Sequence, residues 1–184
     1  MATLEQSVPG AVRLRPAVPA DAELLKRWRG EWSVRRFQPL HDLTLSQLRS
    51  DVSGQRIRDL YRGRGEKFQW IVEEDRLPAG WITLVVSNWE HGLSEVGYAL
   101  STDHQGRGVM GRALELLLAD LFINTRIERV EARCATDNAP SQRVLEKAGF
   151  CREGTLRSYF RLHGRRVDNH LYAVLKAEWQ GGRE

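Results

Sequence analysis

The stretch "STDHQGRGVMGRALELLLADLF", residues 101–122, crowds Gly106, Gly108 and Gly111 together with Arg107 and Arg112 into seven positions, then turns abruptly apolar. Glycine inside a helix costs roughly 1 kcal/mol relative to alanine, so helix stability does not explain the cluster. A helix mouth presents unpaired N–H groups and the positive end of the helix dipole, which together form an anion site. Glycines at such a mouth let the main chain approach phosphate oxygens closely, and Arg107 and Arg112 add charge. The pattern lacks the Lys-Ser/Thr pair of a P-loop. It also follows the third strand of an antiparallel run with no acidic residue closing a βαβ unit, which argues against a dinucleotide fold. Taken alone, three glycines also fit a simple turn.

Upstream of the cluster, "AVRLRPA" alternates Val12 and Leu14 with Arg13 and Arg15, a short strand stopped by Pro16. "VPADAELLKRWRGEW" predicts a helix opened by Pro19 or Asp21, with Leu24, Leu25 and Trp28 on one face. A second helix is expected through "LTLSQLRSDVSGQRIRDLYR", capped by Thr44, with Leu48, Val52 and Leu60 facing inward and a possible break at Gly54. "KFQWIVEE", "AGWITLVVS" and "SEVGYALS" then read as an antiparallel meander.

Downstream, the apolar run predicts a helix over Arg112–Phe122, followed by a strand at "RVEARCA". "NAPSQRVLEKAGF" predicts a short helix with Asn138 as cap, Pro140 in its first turn and Gly149 just past its end. "FCREGTLRSYFRL" and "RRVDNHLYAVLKAEW" close the chain as two strands joined by a tight turn at His163–Gly164. No repeat or linker interrupts the pattern, so residues 1–184 read as one domain.

Composition narrows the functional classes. A chain of 184 residues with 41% hydrophobic and 28% charged residues is ordinary for a globular protein with one core. The longest apolar run is broken by Glu115 and Asp120, so no membrane span is expected. "MATLEQSVPG" lacks the basic and apolar regions of a secretory signal, and two cysteines form no disulfide framework; a cytoplasmic protein is expected. The net charge of +4 fits either a solvated arginine-rich surface or an anionic ligand. With no dense basic helix stripe and no aromatic-basic signature, no direct nucleic-acid partner is expected. The five histidines show no metal-ligand spacing, so no metal is expected.

The ordered set "EVGYAL", "STDH", "QGRGVMGRALELLLADLF" and "RVEARCATDNAPSQRVLEKAGF" resembles the GNAT superfamily of N-acetyltransferases. "QGRGVM" with "N-x-x-S", "LEKxGF" and the terminal "GRRVD…LYAVL…EW" looks most like its Rim-type branch, which includes ribosomal-protein N-terminal acetyltransferases. The resemblance runs from "RLRPA" to "AEW". It implies an α+β fold with a mixed, mostly antiparallel sheet splayed at its centre and flanked by helices. It also implies an acetyl-CoA cosubstrate. The family's pyrophosphate motif, Gln/Arg-x-x-Gly-x-Gly/Ala, is matched at Gln105 and Gly108, while Met110 stands where Gly or Ala is usual. By this resemblance the amides of Gln105, Gly106, Arg107, Gly108, Val109, Met110 and Gly111 hold the pyrophosphate. The main chain of Tyr98, Ala99 and Leu100 holds the pantetheine and thioester carbonyl, and Asn138 is both helix cap and cofactor contact.

For catalysis, the resemblance points to Glu95 as general base, with a surface ion pair as the plain alternative. The family's usual tyrosine acid, five positions before the phenylalanine of Gly149-Phe150, is here Leu145. The Rim-type serine, Ser141, is the candidate acid, with a helix-capping hydroxyl as its alternative, and Tyr159 is a distant further candidate. Cys134 reads as core packing, and Trp28, Trp32, Trp70, Trp81 and Trp89 as core or hairpin residues, those near the first helices being candidates for an acceptor pocket. The resemblance places the acceptor wall at Trp32–Leu60, where Arg35 and Arg36 suit either acceptor steering or surface solvation. The expected acceptor is a protein N-terminus or a small amine, and the chain is expected to be a monomer or homodimer. A CoA-binding interaction module without turnover is the reading from another class.

Overall fold

Consecutive apolar residues such as Trp70, Ile71 and Val72, or Trp81 and Ile82, are buried on both faces of their strands, and a seven-stranded sheet with two covered faces results. The computed structural model describes residues 10–179; nearly all of the opening stretch weighed against a secretory signal lies outside them. The strands are β1 (Val12–Pro16), β2 (Lys67–Glu74), β3 (Leu77–Asn88), β4 (Leu93–Leu100), β5 (Arg129–Ala135), β6 (Cys151–Leu162) and β7 (Arg165–Leu175). Their spatial order is β1-β2-β3-β4-β5-β7-β6, and every neighbouring pair is antiparallel except β4 with β5. This is the mixed, mostly antiparallel α+β sheet expected. The β2–β3 turn holds Asp75 and Arg76 at φ 52° and 69°, and the β6–β7 turn holds His163 and Gly164 at 48° and 79°. Two successive left-handed residues match the twist of a hairpin.

Helices cover both faces. On one face pack α5 (Val109–Asn124) and α6 (Ala139–Lys147), where Leu114, Leu118 and Leu121 bury against Ile82, Leu84 and Val96. On the other lie α1 (Ala22–Gly30), α2 (Trp32–Arg35) and α3 (Leu45–Ser53), where Leu25, Trp28 and Leu48 meet Ile71, Trp81 and Ala99. The short α4 (Ile57–Leu60) sends Leu60 into the first of these cores. β3 shows the division by parity: Trp81 faces one core and Ile82 the other.

Two helix boundaries differ from expectation, each for a physical reason, and the break weighed at Gly54 occurs. α5 begins at Val109 rather than Arg112, because Gly108 takes φ +76° and turns the chain straight into the helix. The first helix is interrupted at Glu31, which is extended and whose carboxylate receives the Thr102 N–H (2.7 Å) and hydroxyl (2.8 Å). The second breaks after Ser53, next to Gly54. Gln55 then donates to the carbonyls of Ala17 (2.7 Å) and Gln69 (3.0 Å) and accepts from the Gln69 N–H (2.7 Å), pinning the break to the sheet. Thr44 caps α3 as expected, accepting the Gln47 N–H at 3.2 Å. The last strand stops at Leu175, and Trp179 packs on Phe122 with ring centroids 5.7 Å apart. Among the described residues no helix is long and apolar enough to cross a membrane.

Candidate active site

The parallel ladder between β4 and β5 pairs Leu93–Val96 with Arg129–Ala132 and then stops. Beyond that point Gly97–Leu100 stay paired with β3, while Arg133–Ala135 stay paired with β7. Two strands held by opposite neighbours diverge, and a cleft of about 240 Å³ opens between the end of β4, the α2 region and α6. Two β4 carbonyls turned toward the cleft already accept side-chain amides: Tyr98 from Gln38 Nε2 (2.7 Å) and Leu100 from Gln105 Nε2 (2.9 Å). These carbonyls therefore suit amide donors, the chemistry of a pantetheine arm.

The glycine-rich loop lies at the end of this cleft. Gly106 and Gly108 both take φ +76°, a region L side chains enter only with strain. Gly111 is helical, and a Cβ there would point into open space. Two glycines thus serve the turn, and the third leaves clearance. Val109 and Met110 are buried, so the first turn of α5 is anchored by its side chains. Met110 at the usual Gly/Ala position is thereby accounted for by core packing. Arg107 is not a free charge. Its guanidinium lies 3.2 Å from Glu74, which is only 3% exposed and also contacts His104 Nδ1 at 2.7 Å. The buried carboxylate of β2 ties down the loop from beneath, a contact between distant segments that no local pattern announces.

Asn138 caps α6, its side-chain oxygen accepting the Ser141 N–H at 3.3 Å. The Ser141 hydroxyl does something else: it lies 2.8 Å from the Tyr98 hydroxyl. The capping alternative for the Ser141 side chain is therefore replaced by a serine–tyrosine pair. Burial pushes the Tyr98 phenol above its ordinary range, outweighing the opposing hydrogen bond from Ser141, so it stays protonated at neutral pH. The Tyr98 side chain was missed in the sequence, although alternation places Val96, Tyr98 and Leu100 on the α6 side of the sheet. Leu145 is buried in the core. Cys134 is buried too; burial raises its pKa, which keeps it a thiol, in keeping with a packing role.

Glu95 and Gly97 line a second cavity of about 320 Å³, which shares Phe37, Gln38, Tyr98, Asn138 and Ser141 with the first. Within it the Glu95 carboxylate is ion-paired with Arg133, the residue just past the point where the parallel ladder ends. Arg133 also stacks over Tyr159, 5.4 Å from the ring centroid. Tyr159 reaches the cavity because β6 is irregular between Leu156 and Phe160. Ser158 there takes φ 56°, and its N–H donates to Asp168 Oδ1 at 2.7 Å. Two buried nitrogens on this lining, Arg133 Nε and Asn169 Nδ2, have no hydrogen-bond partner. Neither residue was singled out in the sequence, and Asn169, standing between Asp168 and His170, is not marked out by its neighbours.

The outer wall differs from the tryptophan expectation in one respect. Trp28, Trp70 and Trp81 are buried, and Trp89 donates to the Gly65 carbonyl at 2.6 Å, but Trp32 is 66% exposed. It lies against His163 at the β6–β7 tip, ring centroids 5.0 Å apart, while His163 Nε2 sits 3.2 Å from the Arg35 carbonyl oxygen. Arg35 is paired with Asp42 at 2.9 Å and Arg36 stacks on Phe37, so both arginines are engaged locally. Among the described residues no group of three or more His, Cys, Asp or Glu side chains is placed to hold a metal.

The sequence profile of the acetyltransferase (GNAT) domain matches residues 11–151. An uncharacterized N-acetyltransferase of Bacillus licheniformis, p20, is 31% identical over 91% of this chain and 94% of its own length. Mycobacterium smegmatis RimJ, solved in complex with CoA-disulfide, superposes with a TM-score of 0.80 at 26% identity, covering 94% of this chain and 86% of RimJ. The spermidine N-acetyltransferase of Vibrio cholerae, solved with CoA and spermine, gives a TM-score of 0.80 at 19% identity over 91% of this chain and 97% of its own, a likeness of fold alone. A sheet that parts between its two parallel strands, a glycine-lined helix mouth at that parting, and a profile match across most of the sequence lead to one conclusion: this chain belongs to the GNAT N-acetyltransferases, a family of acyltransferases.

Proposed function

We propose that the protein transfers an acetyl group from acetyl-CoA to the α-amine of a protein N-terminus. The observation that carries the acceptor class is the ion pair of Glu95 with Arg133 inside the second cavity. Arg133 offsets the carboxylate, so the cavity offers no net negative charge from this pair to collect a polycation. A carboxylate already engaged by arginine suits an amine that is partly neutral at pH 7. An α-amine, with a pKa of about 7.7–8.0, is such a group; a lysine or polyamine amine near about 10.4 is not. The resemblance to the Rim-type branch supports the same class.

The donor supplies an activated acetyl thioester. The glycine-rich loop, with amides from Gln105 to Gly111, holds its diphosphate. The cleft-facing peptide groups of Tyr98 and Leu100, on either side of Ala99, hold its amide arm, and Asn138 lies alongside. Gln38 and Gln105 release or share the carbonyls they occupy. Glu95 takes a proton from the incoming ammonium, directly or through one water. The Ser141 hydroxyl donates to the departing sulfur while accepting from Tyr98. A thiol with a pKa near about 8.5 leaves readily, so a hydrogen-bonded hydroxyl suffices as partner.

The test is release of free CoA thiol from acetyl-CoA with a panel of acceptors: peptides beginning with Ser or Ala, free amino acids and spermidine. Peptide-dependent release is expected. Release with spermidine alone would replace the acceptor class with small amines, and binding of CoA without release from any acceptor would leave a CoA-binding module.

A further inference from the structure

Asn169 lies on β7 opposite Ala135 of β5 and Leu156 of β6, and it is 1% exposed. Its Nδ2 has no hydrogen-bond partner and is itself closed off, while the residue lines the proposed acceptor cavity. Arg133, two residues before Ala135 and hence on the same face of β5, lines the same cavity and carries an equally unpartnered, closed-off Nε. Buried donors are almost always satisfied, so two of them on one cavity lining call for an acceptor that arrives from outside. Around them the cavity is built from Phe37, Leu40, Tyr159 and Phe160, with Glu95 as its carboxylate.

The donors and the carboxylate are complementary to one chemical unit. An α-amino-acyl group carries an amine, partly neutral at pH 7, and, in the same residue, a carbonyl oxygen. Alkylamines and polyamines carry nitrogen but no oxygen to accept from Asn169 or Arg133. We propose that Asn169, with Arg133 Nε, is the specificity-determining donor pair that receives the carbonyl oxygen of the acceptor's first residue. This inference rests on the acetyltransferase reading above and names what within the site selects an α-amino-acyl acceptor. Asn169 is a binding residue here; it takes no proton.

Steady-state kinetics at saturating acetyl-CoA test it with three reagents: a tetrapeptide amide beginning with Ser, the same peptide with a thioamide at its first peptide bond, and Asn169→Leu. Sulfur is a larger and poorer acceptor than oxygen. The wild-type enzyme is expected to show an acceptor KM about tenfold higher for the thioamide peptide. Asn169→Leu is expected to raise the KM of the normal peptide by a similar factor, to leave the KM of acetyl-CoA unchanged, and to discriminate little between the two peptides. Its thermal midpoint should stay at or above that of the wild type, because an unsatisfied buried donor has been removed; a purely structural asparagine would lower it. Equal handling of the two peptides by the wild type overturns the inference without need of the variant, as does an unchanged peptide KM in a folded Asn169→Leu. In both cases acetyl transfer itself survives. Absence of turnover with every amine instead overturns the acetyltransferase reading and this inference with it.

Discussion

Tyr98 and Ser141 come from different elements, a sheet strand and a helix, and meet through their hydroxyls at 2.8 Å. If the pair serves the departing sulfur, its contribution belongs to the transition state and appears in kcat. Ser141→Ala is expected to lower kcat about tenfold or more with acetyl-CoA affinity nearly intact. Tyr98→Phe should cost less, because Ser141 retains its own proton. The double variant should be no worse than Ser141→Ala, since Tyr98 acts through the serine; a double-variant cycle measured in kcat checks this. The Glu95 carboxylate has its own signature. Glu95→Gln should reduce kcat/KM at pH 7 and recover toward wild type as pH rises and the amine loses its proton unaided. A wild-type pH–rate profile in that variant would remove Glu95 from proton transfer. Alternation along "EVGYAL" was enough to put Tyr98 and Glu95 on opposite faces of β4. Their partners were not legible, because Ser141 and Arg133 lie 43 and 38 positions away and only the folded sheet brings them near.

At the scale of elements, the donor loop is a turn whose conformation, charge and anchoring come from three places. Gly106 and Gly108 supply the left-handed backbone, the start of α5 supplies the amides, and Glu74 of β2 holds Arg107 and His104. Gly108→Asp sets a carboxylate where the diphosphate is proposed to bind. Wild-type protein at a hundredfold excess of acetyl-CoA over Kd should gain about 2.7 kcal/mol of stability, and the variant should gain none. Gly108→Ala, which carries only the strain of about 1–2 kcal/mol, separates backbone from charge in the same thermal-shift measurement. The first helical segment has a pH-dependent clasp. Burial opposes the charge on Asp21, but Arg15 at 2.7 Å and the Val18 N–H at 2.8 Å prevail and hold its pKa below 3.8. This stabilisation is present above pH 3.8 and is lost as the pH falls through the lower folded value; Asp21→Asn should flatten that acid limb of the unfolding curve. Caps such as Thr44 and Asn138 were legible as local chemistry. Gly54 marked the break in the second helix, but its pinning by Gln55 was not legible, since that is a set of bonds to Ala17 and Gln69 made only after the sheet has formed.

Across the whole molecule, the sheet separates two cores, and the wall at Trp32–Leu40 meets the β6–β7 hairpin through Trp32 and His163. The fold retains protons on several tyrosines. Burial and, second to it, Asp120 push Tyr61 up to about 12; burial and then Glu146 do the same for Tyr172; Tyr98 is raised by burial. Groups with raised folded pKa values contribute stability that is complete below pH 10 and is lost as pH climbs from 10 toward 12 and beyond. Alkaline unfolding followed by fluorescence should therefore begin above pH 10, and Tyr98→Phe should lessen its steepness. The meander and the terminal hairpin were readable from their turns and alternation. The parallel contact of β4 with β5 is different: the resemblance implied only a mixed sheet splayed at its centre, and periodicity alone is silent on which distant strands lie side by side.

That interrupted contact gives the sheet an edge in its own middle. Outer edges of sheets recruit stray strands, and β4 past Val96 has the same exposed peptide chemistry, but it faces a slot closed off by α6 and the Gln38 amide rather than open water. A slot of this kind suits one extended, amide-bearing chain, and the CoA arm proposed to lie there would complete the fabric of the sheet as an eighth strand would. Amide hydrogen exchange should record this as a one-sided effect. Peptide groups of Tyr98 and Leu100 should slow markedly when CoA is added, while those of β3, already paired, should change little. Uniform slowing across the sheet would mean that CoA merely stiffens the molecule.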